Sequence, residues 1–133
     1  TRPEKVKNDI AKFQNTGNIK KPMITVHGTW DALLFTTVHT APYEALVKKA
    51  GKNDSYRLYM IEHGNHFDGL VGNPAVDKQN QLQALLPYIH QSFDLLVEWV
   101  EKGVAPPAGK IIGFPGSPDN AFDLVTGKEV KKY

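Results

Sequence analysis

Apolar positions change their spacing several times along the chain, and each change marks a different element. In residues 2–15 they are thin, at Val6, Ile10 and Phe13, which predicts a weakly amphipathic helix ended by the breaker Thr16-Gly17-Asn18. The polar Lys20-Lys21-Pro22 then gives way to Met23-Ile24-Thr25-Val26-His27-Gly28, a partly β-branched run closed by glycine that reads as a buried strand. A second such run covers residues 56–62. Between them Tyr43, Leu46, Val47 and Ala50 step by 3, 1 and 3 before Gly51, the pattern of a helix with one apolar face and a glycine just past its end. Strand, helix and strand in about 40 residues make a βαβ unit, whose two strands run parallel.

The longest helical pattern covers residues 79–103. Leu82, Leu85, Leu86, Ile89, Phe93, Leu96, Val97 and Val100 form one continuous apolar face. Pro87 falls inside it and predicts a kink or a restart. Beyond Gly103 come Pro106-Pro107, the pair Ile111-Ile112 and a turn rich in glycine and proline; residues 122–130, around Thr126-Gly127, fit a small hairpin. Two parallel strands cannot supply the two-sided burial that parallel sheets require, so the chain is expected to be part of a larger α/β sheet.

Composition narrows the function. Lys and Arg number 16 against 14 Asp and Glu, a net charge of +2 spread along the sequence, which makes no basic stripe of the kind nucleic acids select. No apolar run is long enough to predict a membrane span or a signal peptide. Cysteine is absent, which excludes disulfides, thiolate-held zinc and a thiol nucleophile. No cofactor motif is present. The chain opens on Thr1 rather than Met, as a piece of a longer protein would.

In an open parallel sheet, reacting groups gather just past the carboxyl ends of the strands. The first strand leads into His27-Gly28-Thr29-Trp30-Asp31 and the second into His63-Gly64-Asn65-His66-Phe67-Asp68. Adjacent parallel strands would therefore set Asp31 and His66 on neighbouring loops. A carboxylate that accepts the imidazole Nδ1 proton fixes the tautomer and leaves Nε2 free as a base.

The order of Val26-His27-Gly28-Thr29-Trp30-Asp31, a helix, a strand and Gly64-Asn65-His66 resembles the last two strands of an α/β-hydrolase. Residues 20–112 carry that likeness, with residues 113–133 as a tail. His66-Phe67-Asp68, the long helix with Gln91-Ser92-Phe93-Asp94-Leu95 and the stretch through Pro106-Pro107 are similar to the carboxyl-terminal region of 3-hydroxybutyrate oligomer hydrolases. Trp99-Val100-Glu101-Lys102-Gly103-Val104-Ala105-Pro106 is shared in flavour with tannase and feruloyl-esterase-type enzymes. The resemblance implies that residues 1–133 are the carboxyl-terminal portion of such a fold: last parallel strands, crossover helix, long final helix. It implies a serine ester hydrolase without cofactor or metal, in which Asp31 is the acid, His66 the base, and a 3-hydroxybutyrate oligomer or another short ester the substrate. In that superfamily the nucleophile lies upstream, in a Gly-x-Ser-x-Gly turn. Ser55, Ser92 and Ser117, the three serines of the sequence, all lie outside such a motif. The chain alone is thus expected to be inactive and to work with the upstream part of the same hydrolase or to self-associate.

Plainer roles compete. Asp31 could be a turn residue, and His66 a loop histidine. His63 and His66 form a His-x-x-His pair, but zinc needs further ligands in place. His27 is expected to hold its loop by a hydrogen bond; His39 falls at a helix start and His90 on a helix face. Around Asp31, the apolar Trp30, Leu33, Leu34 and Phe35 fit core packing better than an acyl pocket, in which Trp30, Leu34 and Phe67 would be the substrate contacts. Asp68 either shapes the site or caps the next segment. A non-catalytic module of hydrolase ancestry, pairing through its open sheet edge, is the alternative function.

Overall fold

The computed structural model describes residues 2–131, so Thr1, Lys132 and Tyr133 lie outside it. Its elements are α1 (Glu4–Ala11), β1 (Met23–Gly28), α2 (Thr40–Lys49), β2 (Tyr56–Ile61), α3 (Leu86–Lys102), β3 (Lys110–Ile112), β4 (Asn120–Phe122) and β5 (Glu129–Lys131). The mixed α/β pattern of the sequence is present, with β1 and β2 parallel in the register Met23↔Tyr56 to Gly28↔Ile61. Residues 120–131 form the antiparallel hairpin β4–β5.

The main departure is a third parallel strand, giving the order β1-β2-β3. Ile111 and Ile112 pair with Met60 and Ile61. Three residues are too few to show a strand period, and this strand is created by contacts distant in sequence. The Arg57 guanidinium reaches the Pro106 carbonyl at 3.0 Å and stands 4.7 Å over the Trp99 ring. The Tyr59 hydroxyl donates to the Pro107 carbonyl at 2.8 Å. Both side chains come from β2 and lay the segment after α3 along its edge.

The long helix also begins later than its apolar pattern suggests. Residues 79–85 are not helical; α3 starts beside Pro87, whose ring and missing N–H suit a first turn and no other. The carboxylate of Asp68 accepts the Leu85 and Leu86 N–H groups at 2.7 and 2.8 Å, so this residue does cap, across space, the helix that follows. Upstream, Asp77 is 5% exposed and accepts from the backbone of Gly72, Gln81 and Leu82, holding the irregular stretch in which Leu82 and Gln83 are buried.

Alternation along the strands distributes the helices. Met23, Thr25 and Tyr56 lie on the α2 side, where the Tyr43 and Tyr56 rings meet edge to face and Tyr56 bonds Thr25. Ile24 and Val26 face α3. The core on that side joins Tyr59, Ile61, Ile112, Tyr88 of α3, and Ala121 and Leu124 of the hairpin segment. Gln91 ties the hairpin to the helix, donating to the Phe122 carbonyl and accepting from the Leu124 N–H. The outer half of the α3 stripe stays uncovered, with Leu86, Phe93 and Val100 exposed. A helix of 17 residues is about 25 Å long, whereas the outer two of three strands are about 10 Å apart, so the sheet covers only part of it.

Burial pushes the Asp77 carboxyl up in pKa, but its three backbone donors outweigh that and hold it below the ordinary value. A group depressed in the folded state contributes stability that is complete above its unfolded pKa and is lost as the pH falls through the folded one. Thermal melts should therefore decline as the pH drops below about 4. Asp77→Ala should cost about 3 kcal/mol at pH 7 by leaving buried donors unpaired, and should flatten the acid decline. An unchanged melting curve for the variant across pH 2–7 would contradict this role.

Candidate active site

The site forms where β1 and β2 end. Their following loops are joined by backbone bonds: Thr29 N–H donates to Ile61 carbonyl and Trp30 N–H to Gly64 carbonyl, each at 2.9 Å. The Thr29 hydroxyl accepts the His63 N–H at 3.0 Å. The two backbones touch at glycines. A Cβ on Gly28 would stand 2.2 Å from the Gly64 carbonyl oxygen, so no larger residue fits without moving a loop.

This junction brings Asp31 and His66 together across 35 positions of sequence. Oδ2 of Asp31 accepts the Nδ1 proton of His66 at 2.9 Å. Oδ1 accepts the N–H groups of Leu33 and Leu34 at 2.9 and 2.8 Å, so the carboxylate is fixed in its own turn as well as on the imidazole. Both the turn role and the histidine contact expected from the sequence coexist in one side chain. Asp31 is 9% exposed. Desolvation raises its pKa, but the Leu34 N–H, the His66 contact and the Leu33 N–H outweigh it and leave the carboxyl below its ordinary value. It is thus ionised at neutral pH. Nδ1 being engaged, Nε2 of His66 is left to act as acceptor, and the side chain keeps 29% of its surface open.

The other candidates are dispersed. The Phe67 ring stands edge-on to His66 with centroids 4.6 Å apart and is 56% exposed. Trp30 stacks on His63 at 4.0 Å and lines a cleft of about 420 Å³ with Asn65, Asp77 and Leu82. Leu34 lines a different cleft of about 450 Å³ with His27, Tyr43 and Leu46, so Trp30 and Leu34 do not share one pocket. Core packing of Trp30, Leu33, Leu34 and Phe35 is not found: all four are exposed, because the Asp31 turn directs the chain away from the sheet.

His63 and His66 make separate contacts. His63 donates Nδ1–H to the Gln81 carbonyl at 2.9 Å and lies between the Trp30 and Phe114 rings. Among the described residues no group of three His, Asp or Glu side chains could hold a metal ion. Ser55 precedes β2, at the end of the sheet opposite His66, and Ser92 is buried on α3 beside Ile24 and Val26. His27 does hold a hydrogen bond, to the hydroxyl of Thr40 at the start of α2. Sequence reasoning missed Thr29 and Thr40, whose partners lie 34 and 13 positions away with no local motif to announce them.

The family model described as 3HB-oligomer hydrolase (3HBOH) matches residues 1–123. A D-(-)-3-hydroxybutyrate oligomer hydrolase from Paracidovorax citrulli (strain AAC00-1) is 30% identical over 124 residues, which cover 85% of this chain and 17% of that protein. The chain therefore spans about a sixth of the length of this relative. No solved structure matches it. With nearly the whole chain under the family match, and Asp31 and His66 both inside it, the protein belongs to the 3HB-oligomer hydrolase family.

Proposed function

We propose that this segment supplies the acid and the base of a serine-type ester hydrolase with an α/β-hydrolase architecture. The observation that carries the reading is the 2.9 Å contact between His66 Nδ1 and a buried, ionised Asp31, with Nε2 left free. The nucleophilic serine belongs to a part of the polypeptide outside these residues. Its hydroxyl proton passes to Nε2 of His66 as the oxygen attacks the ester carbonyl, and Asp31 stabilises the imidazolium. The imidazolium then protonates the departing alcohol, leaving an acyl-enzyme. Water, deprotonated by the same nitrogen, attacks the acyl carbon; serine recovers its proton and the acid product leaves. The family and the relative's name support 3-hydroxybutyrate oligomers as substrate. Another short ester, a phenolic one next, rests only on the likeness of residues 99–106 to tannase and feruloyl-esterase-type enzymes.

The uncovered parts of the segment support a partner. One edge of β1 has no strand beside it among the described residues, and Leu86, Phe93 and Val100 of α3 are exposed. The remainder of the same polypeptide is the proposed occupant, and in its absence a second copy. The segment expressed alone should then run as a dimer or larger species in size-exclusion chromatography with light scattering. A stable monomer with a sharp cooperative melt would remove the need for a partner.

Activity tests the pair directly. In the complete polypeptide, Asp31→Asn should lower kcat by roughly three to four orders of magnitude on a 3-hydroxybutyrate dimer, with KM within about threefold, because the amide selects the wrong tautomer. His66→Ala should fall at least as far. Unchanged turnover in Asp31→Asn would remove Asp31 from the mechanism and favour the non-catalytic module.

A further inference from the structure

A second histidine faces the same carboxylate. His27 sits near the end of β1, on the side of the sheet that carries α2, and is 8% exposed. Its Nδ1 meets the hydroxyl of Thr40, itself 6% exposed in the first turn of α2. Its Nε2 is buried and has no hydrogen-bond partner among the described residues. That nitrogen stands 4.0 Å from Oδ2 of Asp31.

A carboxylate offers about four lone-pair positions. On Asp31, two at Oδ1 are taken by the Leu33 and Leu34 N–H groups and one at Oδ2 by His66. One position at Oδ2 remains, and Nε2 of His27 stands near that oxygen. Electrostatics selects the tautomer. With the proton on Nδ1, the Nε2 lone pair would face an anionic oxygen in a buried site, and nothing would offset the repulsion. With the proton on Nε2, the Thr40 hydroxyl donates to Nδ1 and the N–H dipole points at Oδ2.

The geometry points to His27 as a positioning residue for Asp31: an imidazole, oriented by Thr40, that supplies the fourth donor to the carboxylate. A closure of about 1 Å turns the 4.0 Å approach into a hydrogen bond. The inference rests on the reading of Asp31 and His66 as acid and base. Once His66 has accepted a proton, Asp31 must stay ionised and stay aligned with Nδ1. A fully donated carboxylate is a poor proton acceptor and cannot swing away, so the positive charge remains on the imidazole that has to return the proton. The chain Thr40, His27, Asp31, His66 thus links the start of the crossover helix to the reacting nitrogen.

Kinetics of the complete polypeptide on a 3-hydroxybutyrate dimer test this, with Asp31→Asn measured alongside. His27→Leu should lower kcat about tenfold while KM stays within about twofold. His27→Gln, whose amide can donate from nearly the position of Nε2, should recover at least about a third of the kcat. A role in packing alone would make Leu the better replacement. Should the Leu variant not fold, Thr40→Val against Thr40→Ser decides: kcat should fall severalfold in the first and hold in the second. Wild-type kcat in His27→Leu, Gln no better than Leu, or equal kcat for Thr40→Val and Thr40→Ser would each overturn the inference if Asp31→Asn is crippled. If Asp31→Asn turns over normally, the acid assignment itself has failed, and this inference with it.

Discussion

Two loops at the carboxyl end of a parallel sheet can exchange backbone hydrogen bonds only when their backbones come into contact. Here the contact is Gly28 against Gly64, where even a methyl group on the first would overlap the carbonyl of the second. The pairing of Gly28 with Ile61 in the sheet delivers the two chains to this point, and the Thr29 to Ile61 and Trp30 to Gly64 bonds lock them beyond it. Asp31 and His66 follow within three residues on either side. Their 2.9 Å contact is thus a consequence of strand register and of a missing pair of side chains, and needs no long-range adjustment. The Leu33 and Leu34 N–H groups then make the carboxylate acidic as well as immobile.

Much of this was legible because it is local. The strand around Val26, the helix closed by Gly51 and the strand beginning at Tyr56 announce themselves by period and punctuation, and parallel pairing then forces Asp31 and His66 to the same edge. What escaped the sequence depends on contacts between distant positions. Lys110–Ile112 becomes a strand because Arg57 and Tyr59 capture Pro106 and Pro107. Leu82 and Leu85 continue the apolar step of α3 yet precede it, since Asp77 holds the backbone at Leu82 in an irregular stretch and Asp68 caps the helix at Leu85 and Leu86. The exposure of Leu33 and Phe35 follows from the Asp31 turn; apolar identity alone suggested the core.

The unfinished surfaces have the same origin. Three strands are narrow beside a helix of 17 residues, and Phe93 and Val100 extend past what the sheet covers. The chain corresponds to about a sixth of the relative it matches, which leaves ample polypeptide to supply a further strand, a nucleophile and oxyanion donors in the proposed enzyme. In that proposal the segment's own contribution is a rigid proton-handling pair, Asp31 and His66, with His27 and Thr40 proposed to back it.

The protonation of the His66 ring is the most direct reading of that pair. Nitrogen-15 NMR of the complete polypeptide with labelled histidine, recorded where the ring is neutral, reports which nitrogen carries the proton. The proton should be on Nδ1, donated to Asp31, with Nε2 bare; Gly28→Ala should weaken that preference by separating the loops. A neutral His66 protonated on Nε2 in the unsubstituted protein would contradict the account at its centre.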